Sequence, residues 1–238
     1  MRVALFSDIH GNTLGLRGVF AALEREGGAD MICAAGDLVG GGSGTDEVLE
    51  LLVERGVRLV RGNAEDYVTD LDAVLTAETP EWRRRFFRAR AEWLGERLSA
   101  AHVQLLRGLP VSLTVDLDGR TLFLCHATPV STTGLESDGA APRDAVERAY
   151  GAVQADVVAY GHVHRSHVRA LGTKVLVNVA SVGSRPEHDG LSAYTLIDCA
   201  GGACTVRQRF VPFDAEEEAR RCAAAGMPEF DDFHPPAG

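Results

Sequence analysis

The sequence predicts an α/β protein built around a parallel or mixed β-sheet. Within the first 63 residues, three short apolar runs that stop at polar residues alternate with amphipathic segments, which is the pattern of βα units. The later half carries further apolar runs, two of which are joined by the hairpin signal Asp118-Gly119. Residues 64–109 differ from both halves and favour helices. We therefore expect one domain over residues 1–225, with a helical insertion at about 64–109 and a loose tail over 226–238.

In the first half, each predicted strand is a short apolar run that ends in a loop, as at Ser7-Asp8. The first predicted helix has apolar residues at helical spacing, among them Leu16 and Val19, and Gly27-Gly28 closes it. The predicted strands are Val3–Phe6, Met31–Ala35 and Val57–Val60, and the predicted helices are Leu14–Glu26 and Asp46–Arg55.

In the insertion, Trp82, Phe86 and Phe87 recur at helical spacing, and Ser99 is a candidate N-cap for a further helix. The arginines at 83–85, 88 and 90 predict the solvated face of that amphipathic helix, with a basic lid over a site as the alternative. Beyond the insertion we predict the helix Pro142–Ala152 and the strands Val111–Leu117, Thr121–Cys125, Val157–Tyr160, Val175–Val179, Tyr194–Asp198 and Thr205–Val211.

The composition argues against several functions. The chain of 238 residues has a formal net charge of −10, whereas general binders of nucleic acid or of anionic membranes are usually basic. No apolar run approaches the ~20 residues that span a bilayer, and Val3–Phe6 is too short for a signal peptide. The five cysteines include no CxxC pair, so we expect no disulfide framework and a cytoplasmic protein.

Polar residues of metal-ligating types follow most of the predicted strands. A single His or Asp at a strand end is more often a cap or a turn residue, but in α/β sheets functional sites gather at the carboxyl ends of strands. Imidazoles, carboxylates and an amide recurring at these ends form a plausible ligand set for a metal. The set is Asp8, His10, Asp37, Asn63, His126, His162 and His164.

The order of these motifs resembles that of the calcineurin-like metallophosphoesterases. The resemblance covers residue 1 to about residue 198, and HGN at 10–12, CHATP at 125–129 and NVASVGSR at 178–185 are similar to a prokaryotic branch. The motifs read Asp8-Ile9-His10, Gly36-Asp37, Gly62-Asn63, His126 and Gly161-His162-Val163-His164.

The resemblance implies a four-layer αββα sandwich of two mixed β-sheets flanked by helices, with a two-metal centre at the edge of the sheets. The implied ligands of one ion are Asp8, His10, Asp37 and His164, and those of the other are Asp37, Asn63, His126 and His162, with Asp37 shared. Imidazoles with carboxylates suit divalent Mn, Fe, Zn or Ni better than Ca or Mg.

The implied activity is hydrolysis of a small phosphate ester by a metal-bridging hydroxide. Two divalent ions, two Asp carboxylates and the hydroxide leave the site with a charge of about +1, which an anionic substrate needs in an acidic protein. The substrate would be a phosphodiester, a nucleotide or an activated phosphomonoester. The alternatives are a nucleotide polyphosphate hydrolase and a non-catalytic protein-interaction scaffold on the same fold. The natural substrate, the physiological metal and the oligomeric state stay open.

Ala64 stands where many members of the family have a His that is thought to protonate the leaving group. Alanine has no proton to give, and a general acid contributes typically ~10²–10⁴-fold, so the catalytic acid is left unidentified. Glu65, Asp66, His167 and His188 are the candidates to replace it. For substrate contacts the candidates are Asn12, Asn63 and Arg165.

Overall fold

Two five-stranded mixed sheets form the centre of the protein, for which we used a computed structural model that describes residues 1–134, 136, 138–183 and 190–233. The strands are β1 Arg2–Phe6, β2 Met31–Ala34, β3 Arg58–Leu59, β4 Ser112–Asp116, β5 Thr121–Cys125, β6 Val157–Tyr160, β7 His167–Leu171, β8 Lys174–Asn178, β9 Leu191–Ala200 and β10 Ala203–Pro212. The helices are α1 Thr13–Arg25, α2 Thr45–Glu54, α3 Asn63–Thr69, α4 Leu71–Val74, α5 Glu81–Gly95, α6 Ala100–Arg107, α7 Arg143–Tyr150 and α8 Ala215–Ala224, followed by a 3₁₀ turn at Phe230–Asp232.

The first sheet has the order β10-β9-β1-β2-β3, and the second has the order β4-β5-β6-β8-β7. β1, β2 and β3 are parallel, and β9 runs antiparallel to β1. In the second sheet β5, β6 and β8 are parallel, with the antiparallel strands β4 and β7 at its edges. Each sheet therefore has parallel strands at its centre, whose carboxyl ends can share one edge.

Three apolar clusters separate the layers. On β1, Val3 and Leu5 face the second sheet, whereas Ala4 and Phe6 face the helices, as the two-residue period of a strand requires. The helices α1, α2, α5 and α6 cover the outer face of the first sheet. Val146 and Tyr150 of α7 cover the outer face of the second sheet. This is the four-layer αββα sandwich that the resemblance implies.

Between β3 and β4 the chain forms the helices α3 to α6, and Ser99 caps α6 by accepting a hydrogen bond from the backbone N–H of His102 (3.1 Å). In α5 the side chains of Trp82, Phe86 and Phe87 are half-buried, and the arginines at 83, 85 and 88 are exposed, which favours the solvated-face interpretation. Arg90 is different, because it donates to the carbonyls of Gly40 and Pro228 and joins the insertion to a glycine-rich loop.

Two elements were missed by the sequence prediction. The strand β7 lies at a sheet edge and alternates half-buried with exposed residues. The helix α8 is rich in charge and buries only Glu218 and Cys222, and Asp214 caps it by accepting from the N–H of Glu217 (2.8 Å). Neither element has the apolar stripe that sequence reasoning looks for.

The expectation of no disulfide needs correction at one pair. Cys199 and Cys204 lie directly opposite each other on β9 and β10 and form a disulfide. Whether two cysteines stand opposite each other in a hairpin depends on how many residues its turn contains, and the spacing of the cysteines alone does not reveal that number. The remaining cysteines, Cys33, Cys125 and Cys222, are free and buried. A cytoplasmic location stays a prediction.

In the described part of the predicted tail, residues 226–233, two aromatic side chains contact α5. The ring of Phe230 lies 5.0 Å from that of Trp82 and 5.5 Å from that of Phe86. The ring of Phe233 lies 5.9 Å from Phe86. These aromatic contacts hold the segment against α5. Among the helices of the described residues, none combines the length and apolarity needed to cross a bilayer.

Candidate metal centre

The structure brings together all seven predicted ligands at the carboxyl ends of the parallel strands. Asp8 and His10 follow β1, Asp37 follows β2, and Asn63 opens α3 just after β3. From the second sheet, His126 follows β5, while His162 and His164 follow β6. The Nδ1 atom of His126 lies 2.6 Å from the carbonyl of Ala35 and so links the two sheets at this edge.

The first group of ligands consists of Asp8, His10 and His164. The Nε2 atoms of the two imidazoles lie 3.2 Å apart. The Nε2 atom of His164 lies 3.1 Å from Oδ1 of Asp8, and that of His10 lies 4.0 Å from the same oxygen. This Oδ1 is buried and has no hydrogen-bond partner of good geometry. A buried carboxylate oxygen aimed at two converging imidazole nitrogens fits a cation between them.

The second group consists of Asn63, His126 and His162. Nε2 of His126 lies 3.1 Å from Oδ1 of Asn63 and 3.3 Å from Nδ1 of His162. The amide atom of Asn63 at this position also lies 3.2 Å from the carbonyl of Thr132 and 2.9 Å from Nδ1 of His162. With the nitrogen at this position the amide donates to these neighbours, and with the oxygen there the side chain can serve as a metal ligand beside the two imidazoles. The donor set therefore fits a metal ion.

Asp37 lies between the two groups. Its Oδ2 atom is 3.7 Å from Nε2 of His10, and its Oδ1 atom is 3.4 Å from Nε2 of His126. Asp8, Asp37 and His126 also converge, with one donor atom from each within 4.8 Å of the others. The carboxylate of Asp37 thus presents one oxygen to each group, as a bridging ligand would.

Five of the seven predicted ligands have a left-handed backbone, although none is glycine. The φ angles are 52° for Asp8, 51° for His10, 51° for Asp37, 72° for His162 and 56° for His164. The only other non-glycine residues of the described chain with positive φ are Asp118 and Ala180. Such conformations cost of order 1–3 kcal/mol each and persist only where the surroundings enforce them. Their concentration at one edge of the sheets marks a functional site.

Glycines next to these ligands permit the close approach of the loops. A Cβ atom on Gly62 would collide with Oδ1 of Asp37, and one on Gly161 would collide with the side chains of Ser7 and Asp8. The backbone of Gly161 passes here so closely that His162 can donate its N–H to Oδ2 of Asp8 (3.0 Å). The glycines in the motifs Gly62-Asn63 and Gly161-His162 are therefore required for these close approaches as well as for the turns.

Glu65 organises the loops that carry Asp37 and Asn63. Its side chain is fully buried, and Oε2 accepts from the backbone N–H groups of Asp37 (2.9 Å) and Gly62 (2.7 Å). Oε1 accepts from the N–H groups of Leu38 (2.8 Å) and Val39 (3.3 Å). Burial and the nearby Asp37 raise the pKa of Glu65 to about 7. Because Glu65 is enclosed by backbone, it is a support for the ligands, and the prediction that it meets the leaving group is not favoured.

Other supporting residues carry no signal in the sequence that points to the site. The hydroxyl of Ser181 donates to the carbonyl of Asp8 (2.8 Å), and the amide of Asn178 donates to the carbonyl of Gly161 (2.6 Å). The hydroxyl of Ser7 donates to the carbonyl of Ala35 (3.0 Å). These contacts fix the strained loops, and their partners are distant in sequence.

The four imidazoles of the cluster have pKa values shifted in opposite directions by their surroundings. Burial alone would lower the pKa of His126 and His164, but the Asp8 and Asp37 carboxylates outweigh it and raise both values. For His10 and His162 burial prevails, and their pKa values are lowered. Burial opposes ionisation of Asp8, yet the neighbouring imidazoles hold its pKa well below its usual range. The site therefore keeps a carboxylate ionised in a buried position.

For Asn12 and Arg165, the two further candidates for substrate contact, the structure shows a helix cap and an exposed side chain. Asn12 caps α1 by accepting from the N–H of Gly15 (2.8 Å), and only 2% of its surface is exposed. Arg165 is exposed one residue beyond His164. The structure thus gives Asn12 the helix-capping role, and substrate contacts of Asn12 and Arg165 stay predictions.

Two of the residues that could replace the missing catalytic acid, Asp66 and His167, contact other side chains. Asp66 pairs with Arg61 (3.1 Å) and accepts from the hydroxyl of Thr132 (2.9 Å). His167 lies 3.2 Å from the hydroxyl of Tyr160, on the side of the second sheet that α7 covers. His188 lies outside the described residues.

Ala64 itself is 5% exposed and belongs to the core beneath the helices. Its backbone N–H donates to Oδ1 of Asp37 (2.7 Å). A Cβ atom on Gly40 would lie 3.6 Å from Cβ of Ala64, so the glycine-rich loop closes over this position. Because this position is nearly buried, an imidazole in place of the alanine would have to displace its neighbours.

A groove of about 930 Å³ opens elsewhere, between β4, α7 and the loop that follows His126. Its lining includes Ser112, Val130 and Arg148, and none of the predicted ligands. We assign the site to the ligand cluster, because converging donors and strained backbone mark chemistry more directly than concavity does.

Comparisons with known proteins identify the family and the fold. The family model for the calcineurin-like phosphoesterase superfamily domain matches residues 1–202. An uncharacterized protein of Methanocaldococcus jannaschii is 27% identical over 127 residues, which are 53% of this chain and 49% of that protein. This chain therefore spans about half the length of the curated relative that it matches.

Solved structures extend the likeness over nearly the whole chain. A hypothetical protein from Pyrococcus horikoshii OT3 superposes with a TM-score of 0.80 at 20% identity, over 96% of this chain and 94% of its own. A metallophosphoesterase from Sphaerobacter thermophilus superposes with a TM-score of 0.73 at 22% identity, over 96% of this chain and 95% of its own. At such identities these likenesses show the fold.

Proposed function

The chain belongs to the calcineurin-like phosphoesterase superfamily, and from that premise we propose that it hydrolyses phosphate esters with two divalent transition-metal ions held by the seven clustered residues. The substrate class is a small phosphodiester, nucleotide or activated phosphomonoester. Hydrolysis of such an ester requires a positively charged site, and the ions would supply it in a protein of net charge −10.

The backbone of the ligands carries the proposal. Five ligand residues hold left-handed conformations that cost free energy, and their side chains converge on two neighbouring points. A protein that used this fold only as a scaffold for partners would gain nothing from that strain. The concentration of strain therefore favours a working centre over the non-catalytic alternative.

When bound, two such ions act as Lewis acids, lower the pKa of a water and orient the phosphoryl oxygens. The chain's own residues prepare the place for this chemistry. Asp37 faces both ligand groups, and the carbonyl of Ala35 fixes the ring of His126 through its Nδ1 atom. Partners of this kind orient ligands and raise metal affinity.

The donor set also narrows the choice of metal. Four imidazoles, two carboxylates and an amide suit Mn, Fe, Zn or Ni, and oxygen-only ions such as Ca or Mg are less suitable. We propose manganese as the first ion to try, because Mn suits the carboxylate and carbonyl oxygens that Asp8, Asp37 and Asn63 would offer beside the imidazoles.

The test combines metal analysis with a substrate panel. Protein stripped by a chelator and reloaded should hold about two equivalents of metal and cleave bis(4-nitrophenyl) phosphate. The panel should include adenosine triphosphate, since faster cleavage of an anhydride than of any ester would favour the polyphosphate hydrolase. Less than half an equivalent of metal, with no cleavage of any member, would refute the proposal.

A further inference from the structure

The glycine-rich loop, residues 40–44, packs directly on the predicted ligand His10. The backbone N–H of Gly41 donates to the carbonyl of His10 (2.8 Å), and that of Gly44 donates to the carbonyl of Gly11 (3.0 Å). A Cβ atom on Gly41 would lie 2.9 Å from Cβ of His10, which is too close for any side chain. The loop therefore contacts the backbone that holds His10 at a φ of 51°.

Val39, which immediately precedes the glycine-rich loop, contacts the ring of His10. Its carbonyl oxygen lies 3.3 Å from Nδ1 of His10. A hydrogen bond from Nδ1 to this carbonyl leaves Nε2 without a proton, and Nε2 is the atom that faces His164 and the Asp37 carboxylate. The direction of Nε2 therefore depends on where residues 39–44 lie relative to His10.

Two side chains from other parts of the chain hold the glycine-rich loop from its outer side. Oε1 of Glu218 on α8 accepts from the backbone N–H of Ser43 (2.8 Å). The guanidinium of Arg90 on α5 donates to the carbonyl of Gly40 and to that of Pro228 (2.5 Å). The glycine-rich loop is thus bound to the loop of His10 on one side and to α5 and α8 on the other.

Glu218 is not explained by the packing of its own helix. Its side chain is buried, and its Oε2 atom has no hydrogen-bond partner among the described residues. A buried carboxylate with an unpaired oxygen destabilises a fold, so an apolar residue would pack α8 better. Within α8, Oε1 contacts only the weak donor Sγ of Cys222 (3.6 Å). What the carboxylate provides and an apolar residue does not is the acceptor for the N–H of Ser43.

The position of α8 is itself fixed by the helical insertion. The carbonyl of Ala225, the C-cap of α8, accepts from Nε1 of Trp93 (2.9 Å) and from the guanidinium of Arg97 (2.7 Å). The family model ends at residue 202, so membership of the family gives α8 no role at the metal centre. The contacts nevertheless lead from α8 through the glycine-rich loop to a ligand.

We propose that Glu218 is a positioning residue for the metal centre, which holds the glycine-rich loop against His10 and so sets the direction of that imidazole. This assignment rests on the proposed function and deepens it. His10 belongs to the group of ligands with Asp8 and His164, and not to the group of Asn63, His126 and His162. Loss of the acceptor on Glu218 therefore weakens one of the two metal equivalents selectively.

The experiment titrates the chelator-treated chain with Mn²⁺ in competition with a metal indicator. Glu218→Met keeps most of the side-chain volume and removes the acceptor. In this variant one equivalent of Mn²⁺ should bind roughly 10–100-fold more weakly, and the other should stay within about threefold of the parent. Glu218→Gln retains an oxygen that can accept from Ser43, so it should restore the weakened equivalent to within about threefold of the parent.

Glu216→Met is the matched control, because it removes the same charge from α8 at a side chain that is 92% exposed, and it should change neither affinity. Equal weakening of both equivalents, no weakening, or a Glu218→Gln variant that binds as weakly as Glu218→Met would overturn the positioning role and leave the proposed function intact. If Glu218→Met does not fold, Glu218→Ala is judged by the same criteria. A parent that binds no Mn²⁺ overturns the proposed function and this assignment with it.

Discussion

Replacing Glu65 by glutamine should weaken metal binding more than it weakens the fold. The carboxylate accepts four backbone N–H groups, three from the loop of Asp37, Leu38 and Val39 and one from Gly62. Glutamine keeps one acceptor oxygen and turns an NH₂ group toward two of these donors. The loop that holds Asp37 in its left-handed conformation then loses part of its support.

The magnitude follows from the state of the carboxyl group. In the metal-free protein the pKa of Glu65 is raised to about 7, so the neutral form is already accessible near neutral pH. Two mismatched N–H groups at about 1 kcal/mol each give a loss of about 2 kcal/mol in the free energy of unfolding. With cations bound beside Asp37 the ionised form is favoured. The substitution by glutamine therefore destabilises the metal-bound protein more than the metal-free protein. A fall of roughly 10–100-fold in metal affinity is expected.

The assay has two parts. Guanidinium denaturation of chelator-treated protein measures the free energy of unfolding, and competition with a metal indicator measures affinity. Glu47→Gln is the control, since Glu47 pairs with Arg17 on the exposed surface (2.5 Å) and should change neither quantity appreciably. If Glu65→Gln bound metal as tightly as the parent, the argument that Glu65 supports the ligands would be refuted.

Further outcomes follow from the same cluster. Asp37→Ala should lose both metal and activity, because it faces both ligand groups, whereas His102→Ala on α6 should lose neither; elemental analysis with a rate assay decides. The raised pKa values of His126 and His164 mean that protonation stabilises the metal-free fold below about pH 6.5 and that this stability is lost as pH rises through the raised values. Metal needs neutral imidazoles, so affinity should rise and protons should be released over that window, as calorimetry in two buffers would show; a pH-independent affinity would contradict this. Ala64→His should destabilise the protein by about 1–3 kcal/mol through overpacking beneath Gly40 and should not speed cleavage of poor leaving groups; a faster rate on an alkyl ester would show that the loop yields.

The sequence predicts the parts of this molecule whose signals are local. Short buried strands that end in Asp, His or Asn are visible along the chain, and the structure places those ends together. The stacking of two sheets came from the resemblance, since periodicity alone does not say how many sheets the strands form. The disulfide between Cys199 and Cys204 was missed because its register is set across a hairpin.

Residues that support the ligands through partners distant in sequence could not be predicted for the same reason. Glu65 is an acid near a motif when it is considered in sequence, but its N–H partners Asp37, Leu38 and Val39 lie 26–28 residues earlier. Only the fold shows that these donors surround it and exclude solvent. The sequence thus locates the ligands, and the structure shows what holds them in strained conformations.

The helix α3 unites these observations through its period of 3.6 residues. Asn63 faces the candidate metal, Ala64 faces the core beneath Gly40, and Glu65 faces the loop of Asp37. Ala64 is therefore committed to packing, and Glu65 is committed to supporting the backbone of the Asp37 loop. Neither of the two residues that follow Asn63 is free to give a proton to a leaving group, so the first turn of α3 supplies a ligand and its support and no acid.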